Sequence, residues 1–339
     1  MEASIRERAE CFKFREKLGR VQGKQIMTKR TIEHKASNTA GYTCFSRACA
    51  SMEKDERFRG PDVLAEIFLP LGARFILGVS FLRKFFMKKI APPGIYEYVL
   101  ARTKLLDEVF INALRNRFTQ IVLLGAGFDT RALRFKNKNM GAKIFELDIR
   151  TTQQSKVEIL NRKKIALPKE LVFVPIDFNK ENMTDALGNA GYATNQKSLF
   201  IWEGVTMYLT SDAVDRTLDF IRCSAMEESI VAFDYIYASV LRRENKFYGE
   251  REIYKTVLRG GEGWTFGIED GTIDDFLTQR GFKLMTHHTP SDLEKVYLTA
   301  GDGKRFGRVN GTHCIVTGSV CEDFANPKNA SEIEFPSGF

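Results

Sequence analysis

The sequence lacks the features that mark disulfide-bonded secreted proteins, zinc proteins and membrane-spanning proteins. Its 339 residues include 6 Cys and 4 His, with no C-x-x-C pair and no His at zinc-binding distance along the chain from a Cys. No apolar run reaches the roughly 18–20 residues that a membrane span needs, and residues 1–30 contain no apolar core of a secretory signal. We therefore expect no metal site, no membrane span, and reduced thiols in a cytoplasmic protein.

An excess of positive charge is also absent from most of the chain. The net charge is +8, but residues 1–35 alone hold ten Lys and Arg against five Glu, so the remainder is close to neutral. A nucleic-acid-binding protein more often spreads its basic residues over the fold. We therefore predict no nucleic-acid partner and interpret residues 1–35 as a solvated basic extension.

The first regular pattern in the sequence is the spacing of apolar residues that is typical of helices. Residues 36–94 are predicted to form helices broken at Pro- and Gly-containing stretches, and apolar residues at helical spacing predict one longer helix over about 95–117. Within the first of these segments, residues 75–89 are apolar at one end and basic at the other. Such a stretch covers a core, covers an apolar substrate pocket, or contacts a membrane surface.

Beyond this helix the hydrophobic pattern becomes alternating. Strand candidates alternate with helical stretches along the rest of the chain: 120–124, 143–148, 171–176, 198–202, 229–235, 283–287 and 313–320. This alternation predicts an α/β fold with a mostly parallel sheet covered by helices on both faces. We expect one domain over residues 95–320, followed by a tail over residues 321–339.

A glycine-rich turn, Gly125-Ala126-Gly127, joins the first strand to the next helix. Glycine lets the chain turn sharply and lets a ligand approach the backbone, and a helix N-terminus offers free N–H groups. Tight strand–helix turns also use glycine without binding anything. The dinucleotide fingerprint G-x-G-x-x-G requires a third glycine where this sequence has Thr130. The pattern therefore disfavours NAD(P) and suits a cofactor without a pyrophosphate.

Carboxylates stand at the ends of the next three strands. Asp148 ends the second strand, where a carboxylate accepts the hydroxyl protons of a ribose. Asp177 follows the third strand and is a candidate acceptor for an adenine amino group, with Phe178 packing near the ring, or an N-cap of the next helix. Glu203 ends the fourth strand and is a candidate for cofactor or substrate contact.

Arg102 lies on the apolar face of the long predicted helix, three residues after Val99 and four before Leu106. An arginine is seldom buried without an acidic partner. The methionine carboxylate of S-adenosylmethionine (SAM) would be one such partner, held by both arms of the guanidinium. A protein carboxylate, or an arginine whose charged end reaches solvent, remains an alternative.

Together and in this order, these segments resemble the leucine carboxyl methyltransferase family, especially its bacterial and archaeal branch of small-molecule O-methyltransferases. The resemblance covers roughly residues 36–320 and is carried by residues 101–104, 125–131, 145–148, 175–178, 203–209 and 264–267. It implies a Rossmann-like SAM methyltransferase fold with a seven-stranded, mostly parallel sheet whose last strand is antiparallel.

The resemblance also implies SAM contacts: Arg102 at its carboxylate, Gly125, Ala126 and Gly127 under its methionine, Asp148 at its ribose, Asp177 and Phe178 at its adenine, and Glu203 completing the pocket. Tyr208 and Arg47 are expected on the substrate side, with residues 36–94 as a helical lid over an apolar acceptor.

The expected reaction is methylation of a carboxylate or hydroxyl oxygen on a small hydrophobic acceptor. No residue stands out as a general base, because His287 and His288 at a strand end are interpreted as structural; this favours an oxygen that is already acidic. One alternative is carboxyl methylation of a protein C-terminus. The branch of the family that methylates proteins uses a lysine in its N-terminal helix for the cofactor carboxylate, and residues 36–40 lack this lysine. The other is a SAM-binding protein without turnover. The sequence leaves the oligomeric state open.

Overall fold

The computed structural model describes residues 38–321 except Asn179, Asn195 and Glu262. The predicted basic extension over residues 1–35, and the predicted tail apart from Cys321, lie outside the described residues. The helices are α1 Asn38–Ser51, α2 Leu71–Gly78, α3 Ser80–Phe85, α4 Ile95–Arg115, α5 Arg131–Arg134, α6 Arg150–Arg162, α7 Met183–Asn189, α8 Ser211–Ser224, α9 Ala238–Leu241, α10 Glu250–Gly260, α11 Ile273–Thr278 and α12 Pro290–Tyr297. Shorter helical turns are Glu56–Phe58, Ala65–Phe68, Phe86–Ile90 and Thr206–Tyr208.

All seven predicted strands are present, and each begins and ends within one residue of its predicted bounds. They are β1 Gln120–Leu124, β2 Lys143–Asp148, β3 Leu171–Pro175, β4 Ser198–Trp202, β5 Ile230–Ile236, β6 Phe282–His288 and β7 His313–Val320. The alternation of these strands with helices confirms the α/β class that the sequence predicts.

The strands form one sheet in the order β3-β2-β1-β4-β5-β7-β6. Neighbouring strands from β3 to β5 are parallel, whereas β7 is antiparallel to both of its neighbours, β5 and β6. The expectation of an antiparallel last strand is therefore confirmed. Because the connections cross over between parallel strands, helices cover both faces of the sheet.

Two hydrophobic cores lie on opposite faces of the sheet. Along β1, Val122 and Leu124 belong to one core, and Ile121 and Leu123 belong to the other. This division follows from the two-residue period of a strand, in which successive side chains point to opposite faces. Both faces are buried along β1, so the strand is a nearly continuous apolar run in the sequence.

The longest helix of the described residues, α4, begins after Gly94 and packs along the sheet. Gly94 has φ +76°, and a Cβ atom there would lie 2.4 Å from the backbone nitrogen of Asn310, so only glycine fits this start. The helix buries Leu106 and Phe110, as its predicted periodicity requires. No helix in the described residues is long and apolar enough to cross a membrane.

Candidate cofactor site

The carboxyl ends of the parallel strands open into a cavity of about 710 Å³. Parallel strands all end at the same edge of a sheet, so residues that follow β1, β2, β3 and β4 are brought together there. Every site residue that the sequence predicts lies on the wall of this cavity: Arg47, Arg102, Gly125, Ala126, Gly127, Asp148, Asp177, Phe178, Glu203 and Tyr208.

The glycine turn after β1 forms the floor of the cavity. Gly125 has φ +68° and Gly127 has φ +48°, values in the left-handed region that other residues seldom adopt. A Cβ atom on Gly125 would lie 2.4 Å from Cγ2 of Val205. The backbone N–H of Ala126 donates to the carbonyl of Leu147 at 2.9 Å, which ties the turn to β2. Glycine is thus required here by both backbone conformation and space.

Asp148 holds the glycine turn from the end of β2. Its Oδ2 accepts a hydrogen bond from the Gly127 N–H at 2.5 Å, and its Oδ1 accepts one from the Ile149 N–H at 2.7 Å. Desolvation raises the pKa of Asp148 to about 6, against the opposing effect of these two N–H donors. Each carboxylate oxygen retains capacity for a further donor.

Asp177 and Phe178 lie where β3 ends. The following helix, α7, is capped by Asn182, whose side chain accepts from the Thr184 N–H, so Asp177 is not the N-cap of that helix. Its carboxylate is 3.0 Å from Nζ of Lys180. Phe178 is partly buried and packs against the hydrophobic core on its face of the sheet.

Arg102 is buried and has two protein carboxylates as partners. Its Nε lies 3.0 Å from Oε1 of Glu203, and its Nη1 lies 2.6 Å from Oδ2 of Asp234. Burial by itself lowers the pKa of Arg102, but the two carboxylates outweigh burial and raise it above the ordinary value. Of the partners that the sequence left open for Arg102, the structure shows protein carboxylates. Among the described residues, none accepts a hydrogen bond from Nη2 of Arg102, and its Nε, although close to Glu203, is not aligned for a hydrogen bond.

Glu203 joins Arg102 to a second buried arginine, Arg131. Nη1 of Arg131 donates to Oε2 of Glu203 at 2.8 Å, and Arg131 also contacts the carboxylates of Asp107 and Asp129. Burial acts to raise the pKa of Glu203, but Arg131 and Arg102 outweigh it and lower that pKa to about 2. Glu203 is therefore ionised throughout the neutral range.

The same charge network connects α1 to the sheet. Nη2 of Arg47 donates to the carbonyl of Phe128 at 2.7 Å, and its Nε lies 3.4 Å from Asp62. Asp62 lies 3.4 Å from Arg134, which also contacts Asp107 on α4. These bonds hold α1 at the cavity mouth, because each of these charges is buried and needs its partner.

Several polar residues of the site were not identified from the sequence, among them Asp129, Arg131, Thr152 and Asp234. The clearest missed signal was Asp234, a carboxylate within an apolar strand, which accepts from the Gly204 N–H at 2.6 Å and the Tyr98 hydroxyl at 2.7 Å. Asp129 and Arg131 lie within residues 125–131, which carry the family resemblance, but the pattern by itself indicates no role for either. Thr152 is buried on the cavity wall, and its hydroxyl has no hydrogen-bond partner among the described residues.

Three further parts of the chain line the cavity. Helix α1 contributes Ala40, Thr43 and Arg47, and the remaining residues are Tyr208, Leu209, Gly261, Gly263 and Thr265. Of the described residues within 36–94, which were expected to form a lid, only Ala40, Thr43 and Arg47 line the cavity. The expected lid included Phe75, Phe81 and Phe85. These three side chains are instead exposed and do not line the cavity. They face outward because other residues occupy the inner sides of their helices.

Two proteins named as SAM-dependent methyltransferases are similar to this chain in sequence. A protein of Bacillus subtilis named as a candidate SAM-dependent methyltransferase, YktD, is 25% identical over 283 residues, which is 79% of this chain and 93% of that protein. A Frankia alni protein named in the same way is 35% identical over 121 residues, 36% of this chain and 42% of that protein.

Two solved structures share the fold. One, described as a candidate methyltransferase from Thermobifida fusca, has a TM-score of 0.53 at 15% identity and covers 85% of this chain and 96% of its own. A DUF574-family protein from Streptomyces avermitilis has a TM-score of 0.55 at 10% identity, covering 84% of this chain and 98% of its own. The sequence profile named leucine carboxyl methyltransferase matches residues 43–222, more than half of the sequence. The chain therefore belongs to the leucine carboxyl methyltransferase family.

Proposed function

We propose that this SAM-dependent methyltransferase binds SAM in the cavity at the carboxyl ends of its parallel strands and methylates an oxygen of a small, largely apolar acceptor. Methyltransferase activity and SAM dependence follow from the family and the relatives. The observation that carries the proposed site is one continuous wall that joins the glycine turn to Asp148, Asp177 and Glu203.

The residues on this wall fit the parts of SAM. The glycine turn leaves room that a Cβ atom on Gly125 would fill, which suits a methionine chain lying against the backbone. Asp148 has acceptor capacity for the two ribose hydroxyls. Nη2 of Arg102 is the donor we assign to the cofactor carboxylate, since its Nε and Nη1 are engaged by protein.

The adenine side is assigned to Asp177 and Phe178, which lie next along the wall. Asp177 would accept from the adenine amino group, and Phe178 would pack beside the ring. We add Thr152 to this set. A buried hydroxyl without a partner is unfavourable, and a bound ligand that hydrogen-bonds to it would remove that cost.

The acceptor is assigned to the space between α1 and the Tyr208–Thr265 side of the cavity. Among the described residues that line the cavity there is no histidine or lysine, and the carboxylate of Glu203 is held by two arginines. When bound, SAM supplies an electrophilic methyl group, so the protein's task is to align the acceptor oxygen and exclude water. This lining favours an acceptor oxygen that is already ionised, such as a carboxylate.

The cofactor assignment is tested by isothermal titration. SAM and S-adenosylhomocysteine should bind with one site per chain, and substituting Asp148 with Ala should weaken both by about 2–4 kcal/mol. A titration in which Asp148→Ala, with its fold intact, changes SAM affinity less than about threefold would remove Asp148 from the site.

The acceptor is found by supplying the protein and a cell extract with SAM labelled in its methyl group. Labelled small molecules extracted into organic solvent support the proposal. A label found only on proteins would instead support the alternative of carboxyl methylation at a protein C-terminus. If SAM binds but no acceptor becomes labelled, the result would support a SAM-binding protein without turnover.

A further inference from the structure

Helices α2 and α3 and the turn after them carry a strongly apolar outer surface. Leu71 is 83% exposed, Phe75 68%, Phe81 74% and Ile90 58%. Phe85, 49% exposed, stacks on Phe81 with 6.4 Å between the ring centroids. We call these five residues the exposed apolar face. Large side chains are seldom left this exposed along one short segment without a partner.

The inner side of the same segment is firmly attached to the protein. Leu77 is 1% exposed, and Arg83 is buried, with Nη1 donating to the carbonyl of Leu77 at 2.8 Å and Nη2 to that of Met52 at 3.4 Å. Phe86 packs edge-on against Phe45 on α1 with 5.1 Å between centroids. The apolar face therefore points outward because its opposite side is already packed, and the cavity lies elsewhere.

The charged residues along this segment of the sequence all have the same sign. Between residues 67 and 96 the sequence contains five Lys and Arg and no Asp or Glu. Lys84 and Lys89 are exposed, next to Phe85 and Ile90 respectively. Aromatic and aliphatic side chains interspersed with lysines, without a carboxylate, are the composition of segments that lie in the interface of an anionic membrane.

We propose that the exposed apolar face is a docking surface for an anionic lipid membrane. Phe75 and Phe81 insert at the boundary between headgroups and acyl chains, and the flanking lysines extend to the lipid phosphates. A lipid surface needs no complementary shape, only apolar side chains beside positive charge, and this segment supplies both. The proposal is independent of the acceptor's identity, since none of the five residues lines the cavity.

A tryptophan reporter tests the proposal on the full chain. Both native tryptophans, Trp202 and Trp264, are buried, so Phe81→Trp adds the one exposed indole among the described residues. Its emission should shift to shorter wavelength with vesicles containing phosphatidylserine, and much less with phosphatidylcholine alone. The matched control is Met140→Trp, at a position 79% exposed on another surface. No shift for Phe81→Trp, or an equal shift for the control, overturns the proposal.

Vesicle co-sedimentation separates this face from the basic extension. The double variant Phe75→Ser with Phe81→Ser should bind phosphatidylserine vesicles at least about tenfold more weakly than Met140→Ser, with SAM binding retained in both. If the double variant binds as well as the control, the extension alone holds the membrane and the proposal fails. Sedimentation velocity without vesicles provides the other decisive outcome: self-association abolished by the double variant would identify a second copy as the occupant.

Discussion

Arg102 and Glu203 form an ion pair at the cavity wall, with 3.0 Å between Nε and Oε1 and side chains only 6% and 11% exposed. Because Glu203 also contacts Arg131, and Arg102 also contacts Asp234, the pair connects α4, the end of β4, β5 and α5. Residues assigned to cofactor binding are thus also part of the protein's internal charge network. Substitutions in this network will affect both stability and binding, and tests of function need probes that separate the two.

Substituting Arg102 with Lys should weaken SAM and S-adenosylhomocysteine binding together. A lysine keeps the positive charge but has a single nitrogen. It therefore loses the arginine's fork, which contacts Glu203 and Asp234 and still leaves Nη2 to donate to a ligand. We expect at least about a tenfold loss for both ligands, equal to about 1.4 kcal/mol, measured by isothermal titration.

The control ligand for this variant is 5′-methylthioadenosine, which has no amino-acid carboxylate. Its affinity should change little. If it loses as much affinity as SAM, Arg102 acts only through the fold, and its assignment to the cofactor carboxylate is wrong.

SAM affinity should fall as the pH decreases through about 6. The pKa of Asp148 is raised to about 6 by desolvation, and only the ionised carboxylate accepts from both ribose hydroxyls. Below that pKa the affinity should fall by up to about tenfold per pH unit. In Asp148→Asn the binding should be weak and nearly independent of pH between 5 and 7, as followed by titration at each of these pH values. An unchanged pH profile in the variant would assign the titration to another group.

The same pKa shift predicts the sign of a stability change in the ligand-free protein. Between the ordinary Asp value of 3.8 and the folded value of about 6, the folded state holds the proton more tightly than the unfolded state. The contribution of Asp148 therefore makes the free energy of unfolding decrease as pH rises across that window. Measured by urea unfolding, this decrease in the free energy of unfolding should be larger for the native chain than for Asp148→Asn. A steeper decrease in the variant contradicts the assignment.

Substituting Arg131 with Met should strongly destabilise the protein. Arg131 is 1% exposed and contacts Asp107, Asp129 and Glu203, so its removal leaves buried carboxylates without their cation. The expected loss is roughly 3–5 kcal/mol in the free energy of unfolding, measured by urea denaturation. Arg57→Gln is the matched control, because Arg57 also contacts two carboxylates but in an exposed position; its loss should be far smaller. Equal losses in the free energy of unfolding for the two variants would mean that burial does not determine how much these ion pairs contribute to stability.

Substituting Gly125 with Ala should impair both folding and SAM binding. The positive φ of Gly125 costs an L-residue about 1–2 kcal/mol, and the added Cβ would lie 2.4 Å from Cγ2 of Val205. Gly141→Ala is the control, because Gly141 also has positive φ but its Cβ would have no atom within 4 Å. Thermal unfolding should show the larger decrease for Gly125→Ala, and only that variant should lose SAM affinity. Retained SAM affinity would show that the cofactor does not lie against this turn.

Strand positions could be predicted from sequence because a strand buried on both faces is a short apolar run bounded by turn residues. The run Ile121–Leu124 is such a local property of consecutive residues, and its side chains divide between the two cores. The ends of β1, β2 and β4, and therefore Gly125, Asp148 and Glu203, followed from this pattern together with the rule that parallel strands end at one edge.

The partners of buried charges could not be predicted in the same way. Arg102 is recognisable from sequence as an arginine on an apolar helix face, but its partner Asp234 is 132 residues away along the chain. The exposure of Phe75 and Phe81 was equally hidden, because an apolar residue in a sequence is by default assigned to a core. Only the packing of Leu77 and Arg83 on the other side of the helices decides that these rings face outward.

The sequence by itself thus determined the α/β class, the seven strands, the glycine turn and the carboxylates at the strand ends, because each depends on residues that are neighbours along the chain. The tertiary structure alone decided which carboxylate meets which arginine and which apolar side chains remain exposed. These depend on distances between residues far apart in sequence, where one buried charge is stable only beside its partner.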